Sequence, residues 1–141
     1  MRSVSPDESG SPRSALVYDA GALIAAEADK AALWHLHRQA LDEKRRIIVP
    51  VPVLAQVWRG SARQASLARL LFGCEIVEMA EVVGREAGVL CGKARTSDVV
   101  DATVAVMAIR TTASILTSDP GDIAVLLDAA RPAVRPALIP V

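Results

Sequence analysis

Aromatic side chains are scarce in this chain: one tyrosine, one phenylalanine and two tryptophans among 141 residues, although 52% of the sequence is hydrophobic. Any core must therefore be built from Ala, Val, Leu and Ile, which favours helices packed closely on a sheet. Net charge is also missing, since sixteen basic residues cancel sixteen acidic ones. No global basic field attracts nucleic acid, so any such attraction must come from a local patch or from bound metal. The two cysteines, Cys74 and Cys91, form no C-x-x-C pair, which argues against a disulfide framework or a zinc site and fits a reducing cytoplasm. No apolar run approaches transmembrane length and the N-terminus does not read as a signal peptide, so a cytoplasmic protein without a membrane partner is expected. The length suits a single domain with a substantial core.

Residues 1–14 are rich in Ser, Pro and charge and are expected to form a disordered tail, with a folded domain over 15–141. Ala15 to Tyr18 reads as a short buried strand, and Asp19 stands at its C-terminal end before a helix that begins near Ala20. Asp19 is either an N-cap or an acid presented where open α/β sheets bind ligands. Asp29 is expected to cap a helix over residues 30–44, whose apolar side is Leu33, Leu36, Ala40 and Leu41. His35 and His37, two apart, do not share a helix face and read as surface or boundary residues. Ile47 to Val49 is a second strand. Pro50 and Pro52 should end the pairing and open a helix carrying Gln56 and Arg59 on one face, up to Gly60. Ser61 is expected to cap a further helix through Leu71. Arg59 and Arg63 could together grip a phosphate or be solvated surface charges.

Cys74 to Met79 is a third strand candidate, followed by a helix over residues 80–94. In it Gly84, Gly88 and Gly92 recur at every fourth position, each costing ~1 kcal/mol against alanine. That predicts another backbone close by, within the domain or at a dimer contact. In TSDVVDATVAVMA (residues 96–108) Asp98 and Asp101 share a helix face. Asp98 suits the first turn with Ser97 as N-cap, whereas Asp101 lies a full turn in, among apolar residues. Ala113 to Leu116 is a fourth strand, ending in TSDPGD, with Asp119 past its end and Asp122 expected to cap a helix over 123–130. Residues 137–141 form a possible fifth strand. Strands alternating with helices give an α/β fold with a parallel sheet and helices on both faces.

In a parallel sheet the C-terminal strand ends share one edge, so Asp19 and Asp119 can converge there, with Asp101 at the head of a late helix. Converging carboxylates repel unless a hard divalent cation lies among them, and Mg²⁺ and Mn²⁺ prefer such oxygen ligands. With no catalytic His or Cys in the pattern, the cluster points to metal-dependent hydrolysis of a phosphodiester.

YDAGALIAA, PVLAQVWRG, DVVDATVAVMA and ILTSDPGDI, in that order and spacing, resemble a PIN-domain ribonuclease, in particular the VapC-type toxin of a bacterial toxin–antitoxin pair. The resemblance covers all but the tail. It implies a three-layer α/β/α sandwich with a central parallel sheet of four to five strands, and a Mg²⁺- or Mn²⁺-dependent endoribonuclease. It also implies a homodimer, an RNA substrate and a cognate antitoxin. Carried over by position, the family's metal-holding acids match Asp19, Asp101 and Asp119, with Thr117 as the supporting hydroxyl. Asp98 and Asp122 match no invariant acid, though either can act as an outer group of the site. The family's second acid, normally a glutamate, is replaced by Gln56, which removes one negative charge. That leaves two readings. One is an active ribonuclease in which Arg59 or Arg63 steadies the RNA. The other is a weakened PIN domain serving mainly to bind RNA or an antitoxin. A phosphorylation-receiver domain fits poorly, because only one acid follows the first strand and no lysine lies beyond Lys93.

Overall fold

The computed structural model describes residues 14–141; the expected tail, apart from Ser14, lies outside the described residues. Ser14 itself is held by Arg45, whose Nε donates to the Ser14 carbonyl at 2.7 Å. The elements in order are β1 (Leu16–Tyr18), α1 (Ala20–Glu27), α2 (Ala31–Asp42), β2 (Ile47–Pro50), α3 (Val51–Val57), a 3₁₀ turn (Ala62–Gln64), α4 (Ala65–Leu71), β3 (Glu75–Val77), α5 (Glu81–Ala94), α6 (Val99–Thr111), β4 (Ser114–Thr117), α7 (Pro120–Ala130) and β5 (Leu138–Pro140). The five strands form one parallel sheet in the order β3-β2-β1-β4-β5, which is the α/β architecture expected from the alternation.

The chain starts in the middle of the sheet, builds outward through β2 and β3, then returns to place β4 on the other side of β1. That reversal makes β1 and β4 the switch point of the sheet, where the connections diverge and leave a crevice at the C-terminal ends. Every residue of β1 is buried, as is Leu116 opposite Tyr18. On one side α1 packs with α2 and α4; on the other, α5, α6 and α7 pack together, and α3 touches both α1 and α6. Helix α6 is buried at every position from Ala102 to Ala108. Its small residues let it lie close to β1, β2 and β4, as a helix apolar all round must be covered all round.

Several local expectations are corrected. Asp29 does not cap α2; Lys30 is the N-cap, without a side-chain bond, while Asp29 adopts a left-handed turn conformation (φ 55°) and accepts from Ser66 Oγ. Pro50 still pairs in β2, opposite Val77, because the last residue of a strand needs no further N–H. Helix α3 stops at Val57, so Arg59 lies beyond it, and Ser61 makes no side-chain cap bond. His37 is buried, not superficial: it follows Leu33 by four and precedes Ala40 by three, on the face that α2 turns inward. No backbone approaches the glycines of α5. A β-carbon on Gly84 would meet only the Met79 methyl, at 3.7 Å, and those on Gly88 and Gly92 would meet nothing within 4 Å. The close approach expected within the domain is absent among the described residues.

Candidate functional site

Asp19 directly follows β1 and is the N-cap of α1. Its backbone N–H donates to the Leu116 carbonyl of β4 at 3.1 Å, and its Oδ1 accepts from the Ala22 N–H at 2.9 Å. The two roles considered from sequence are thus one geometry. Asp19 is only 4% exposed, so burial raises its pKa. The Thr117 hydroxyl and the backbone N–H groups of Ala22, Gly21 and Ser118 oppose that rise by stabilising the carboxylate. Thr117 is fully buried and its Oγ1 also accepts from the Asp119 N–H at 2.9 Å. One hydroxyl therefore ties the acid after β1 to the acid after β4.

Asp119, and not Asp122, caps α7: its Oδ1 accepts from the Asp122 N–H. Asp98, and not Ser97, caps α6, with its Oδ1 accepting from the Asp101 N–H at 3.0 Å. Its own N–H donates to Thr96 Oγ1. Asp101 is then drawn into the first turn beside Asp98, half-buried. Its pKa is pushed up to about 7, by burial first, then by the charge of Asp98 and a hydrogen bond with it, then by Asp19 and Asp122. Asp122, exposed, is raised by its hydrogen bond with Asp119 and by the charges of Asp119 and Asp98. Five carboxylates from three helix N-termini thus share one edge of the sheet and one electrostatic field. Asp98, Asp101 and Asp122 line a cleft of about 240 Å³ with Arg95, Thr96, Val125 and Leu126.

A carboxylate field of this kind is short of positive charge, and its hard oxygen donors suit a divalent cation. Among the described residues no three such side chains stand together as a ready-made cage. Any divalent ion held here would keep several of its waters and take one or two carboxylates directly.

The other residues marked in the sequence are placed differently. Gln56 is exposed on α3, with no hydrogen bond to the acids among the described residues. Arg59 is exposed, and its Nη1 donates to the Trp58 carbonyl at 2.8 Å and the Ala55 carbonyl at 3.4 Å. Arg63 is exposed in the 3₁₀ turn. Neither arginine lines the acidic cleft. Sequence reasoning missed Arg95, although it stands three residues before Asp98. It also missed Gln64, which is 3% exposed. Gln64 accepts from the Arg59 and Gly60 N–H groups and donates to Glu27 Oε1 and the Val57 carbonyl, fixing the turn after α3. A buried glutamine leaves no mark in hydrophobic periodicity.

The family model for the PIN domain matches residues 16–125, which spans the strands and helices that carry all five acids. The chain belongs to the PIN-domain family. This PIN domain also superposes on a chain in the crystal structure of VapBC2 from Rickettsia felis bound to a DNA fragment from their promoter. The TM-score is 0.66 at 15% sequence identity, over 89% of this chain and 97% of that one; the likeness is one of fold. No curated protein matches the chain. No helix of the described residues is long and apolar enough to cross a membrane.

Proposed function

We propose that this PIN domain is a metal-dependent endoribonuclease, the toxin of a type II toxin–antitoxin pair, acting in the cytoplasm as a homodimer and restrained by a cognate antitoxin. The observation that carries the reading is the Asp19–Thr117–Asp119 link across β1 and β4, with Asp101 facing the same field. The fold shared with a chain of the VapBC2 structure supports the toxin–antitoxin assignment.

In this reading Asp19, Asp101 and Asp119 hold Mg²⁺ or Mn²⁺, directly or through water. When bound, such an ion supplies Lewis-acid activation of water and neutralises charge developing at phosphorus. The protein's own part is placement. Thr117 keeps Asp19 and Asp119 in register, and three backbone N–H groups donate to the Asp19 carboxyl, opposing the rise that burial gives its pKa. Asp98 orients the first turn of α6, so that Asp101 faces the cleft. Gln56 can offer only a carbonyl oxygen from α3, and Arg59 and Arg63 are exposed in the segment that follows that helix. The missing charge at Gln56 favours a second reading, a weakened nuclease that mainly binds RNA or an antitoxin.

The deciding experiment is cleavage of total cellular RNA by the purified, antitoxin-free protein in Mg²⁺, in Mn²⁺ and in EDTA, beside Asp101→Asn. Metal-dependent cleavage that the substitution abolishes is expected. Equal inertness of both folded proteins in every metal would remove the nuclease reading and leave the binding one.

A further inference from the structure

The acidic cleft has one cationic wall. Arg95 follows α5 in the left-handed conformation (φ 58°), with its N–H donating to the Cys91 carbonyl. It is the single basic residue lining the cleft that Asp98, Asp101 and Asp122 share. Arg46, Arg69, Arg85, Arg110 and Arg135 each form an ion pair, yet Arg95 forms none among the described residues. Arg95 therefore lines the cleft unpaired and exposed to solvent.

An RNA strand entering this cleft meets a field of its own sign. Metal at the acids neutralises part of it, but the phosphates flanking the scissile one need a cation of their own. Arg59 does not line this cleft, and its Nη1 is turned to the Trp58 and Ala55 carbonyls. We propose that Arg95 binds an RNA phosphate at the mouth of the acidic cleft and sets the path of the strand across it. A guanidinium fork matches two phosphate oxygens at once. The inference rests on the ribonuclease reading and adds a residue to it.

The test is binding of a fluorescein-labelled single-stranded RNA oligonucleotide in EDTA at several salt concentrations, alongside cleavage in Mg²⁺ and Mn²⁺. Arg95→Gln should weaken binding by about tenfold and lower the salt slope by roughly 0.7, one phosphate contact on a single strand. Arg95→Lys should keep the slope and recover only part of the affinity. Arg59→Gln and Arg63→Gln should each lose less than Arg95→Gln. Arg95→Gly separates binding from folding, because glycine relieves the left-handed backbone. It should lose affinity as Arg95→Gln does while its melting temperature holds or rises. If wild type binds RNA and Arg95→Gln and Arg95→Gly bind it equally well with the same slope, the role of Arg95 is wrong and the nuclease reading stands. If wild type neither binds RNA nor cleaves it in either metal, both fall together.

Discussion

Gly21 and Ser118 touch across the switch point of the sheet. A β-carbon added to Gly21 would fall 2.5 Å from the Ser118 Cβ and 3.0 Å from its backbone nitrogen. That nitrogen is one of the donors holding the Asp19 carboxylate. The bare Cα of Gly21 is what lets the first turn of α1 and the end of β4 close on the same acid. Gly21→Ala should therefore displace the Ser118 backbone, at about 1–3 kcal/mol as for overpacking elsewhere. Urea denaturation should show that loss, and cleavage should fall further than stability accounts for. An alanine variant as stable and active as wild type would mean that the loop yields without disturbing Asp19.

The acids make a second prediction, in pH. Asp101 has a folded pKa near 7, well above its ordinary value of 3.8. The native state then binds more protons than the unfolded chain between those values. Stability contributed by this group falls as pH rises from about 4 to about 7, and is level above that. Burial acts the other way on His37, lowering its pKa, so its contribution is lost as pH falls through the ordinary histidine range. The clean observable is the difference in melting temperature between wild type and Asp101→Asn without metal, which cancels His37. The variant should gain on wild type steadily from pH 4 to 7. Mg²⁺ should raise the melting temperature of wild type at pH 8 and not at pH 4.5. A difference independent of pH would show that Asp101 is not held protonated by its neighbours.

Much of this was legible from sequence, for a physical reason. Short buried strands followed by amphipathic helices fix a parallel α/β sheet, and an acid after a strand lies at one edge of it whatever the details. Thus Asp19 and Asp119 could be placed together before any coordinates, whereas Asp101, which follows no strand, was added from the head of a late helix. The cap residues were harder to assign: Asp98 and Asp119, one and three residues from the expected Ser97 and Asp122, hold the N-termini of α6 and α7. Neighbouring Ser and Asp residues have similar capping propensity, so only tertiary packing chooses between them. His37 was misjudged because a polar residue on an inward face looks like a break in the apolar stripe. Its partner, Tyr18, lies nineteen residues away.

That pair supports a third prediction. Tyr18 and His37 are both buried, 2.8 Å apart from hydroxyl to Nδ1, with Trp34 edge-on to the imidazole at 5.6 Å. Burial raises the tyrosine pKa and lowers the histidine pKa, so both are neutral and share one hydrogen bond. Tyr18→Phe keeps the ring and orphans the imidazole nitrogen. The expected loss is about 1–3 kcal/mol, read by urea denaturation, with no change in metal affinity because Tyr18 faces α2. A neutral outcome would show that water replaces the hydroxyl.

Gln56 carries the last prediction. It is exposed on α3, the helix that bridges α1 and α6. If the site is limited by charge, Gln56→Glu adds a carboxylate to the acid field without repacking a core residue. An added charge near a divalent ion, partly screened by solvent, should tighten Mg²⁺ and Mn²⁺ binding on the order of tenfold, read by isothermal titration calorimetry. Cleavage at subsaturating metal should rise in parallel, while at saturating metal the two proteins should converge. Tighter metal with no cleavage by either protein would favour the binding role over the nuclease. Unchanged metal affinity would mean that Gln56 stands too far from the acids to complete the site, and that Asp98 or Asp122 supplies the charge instead.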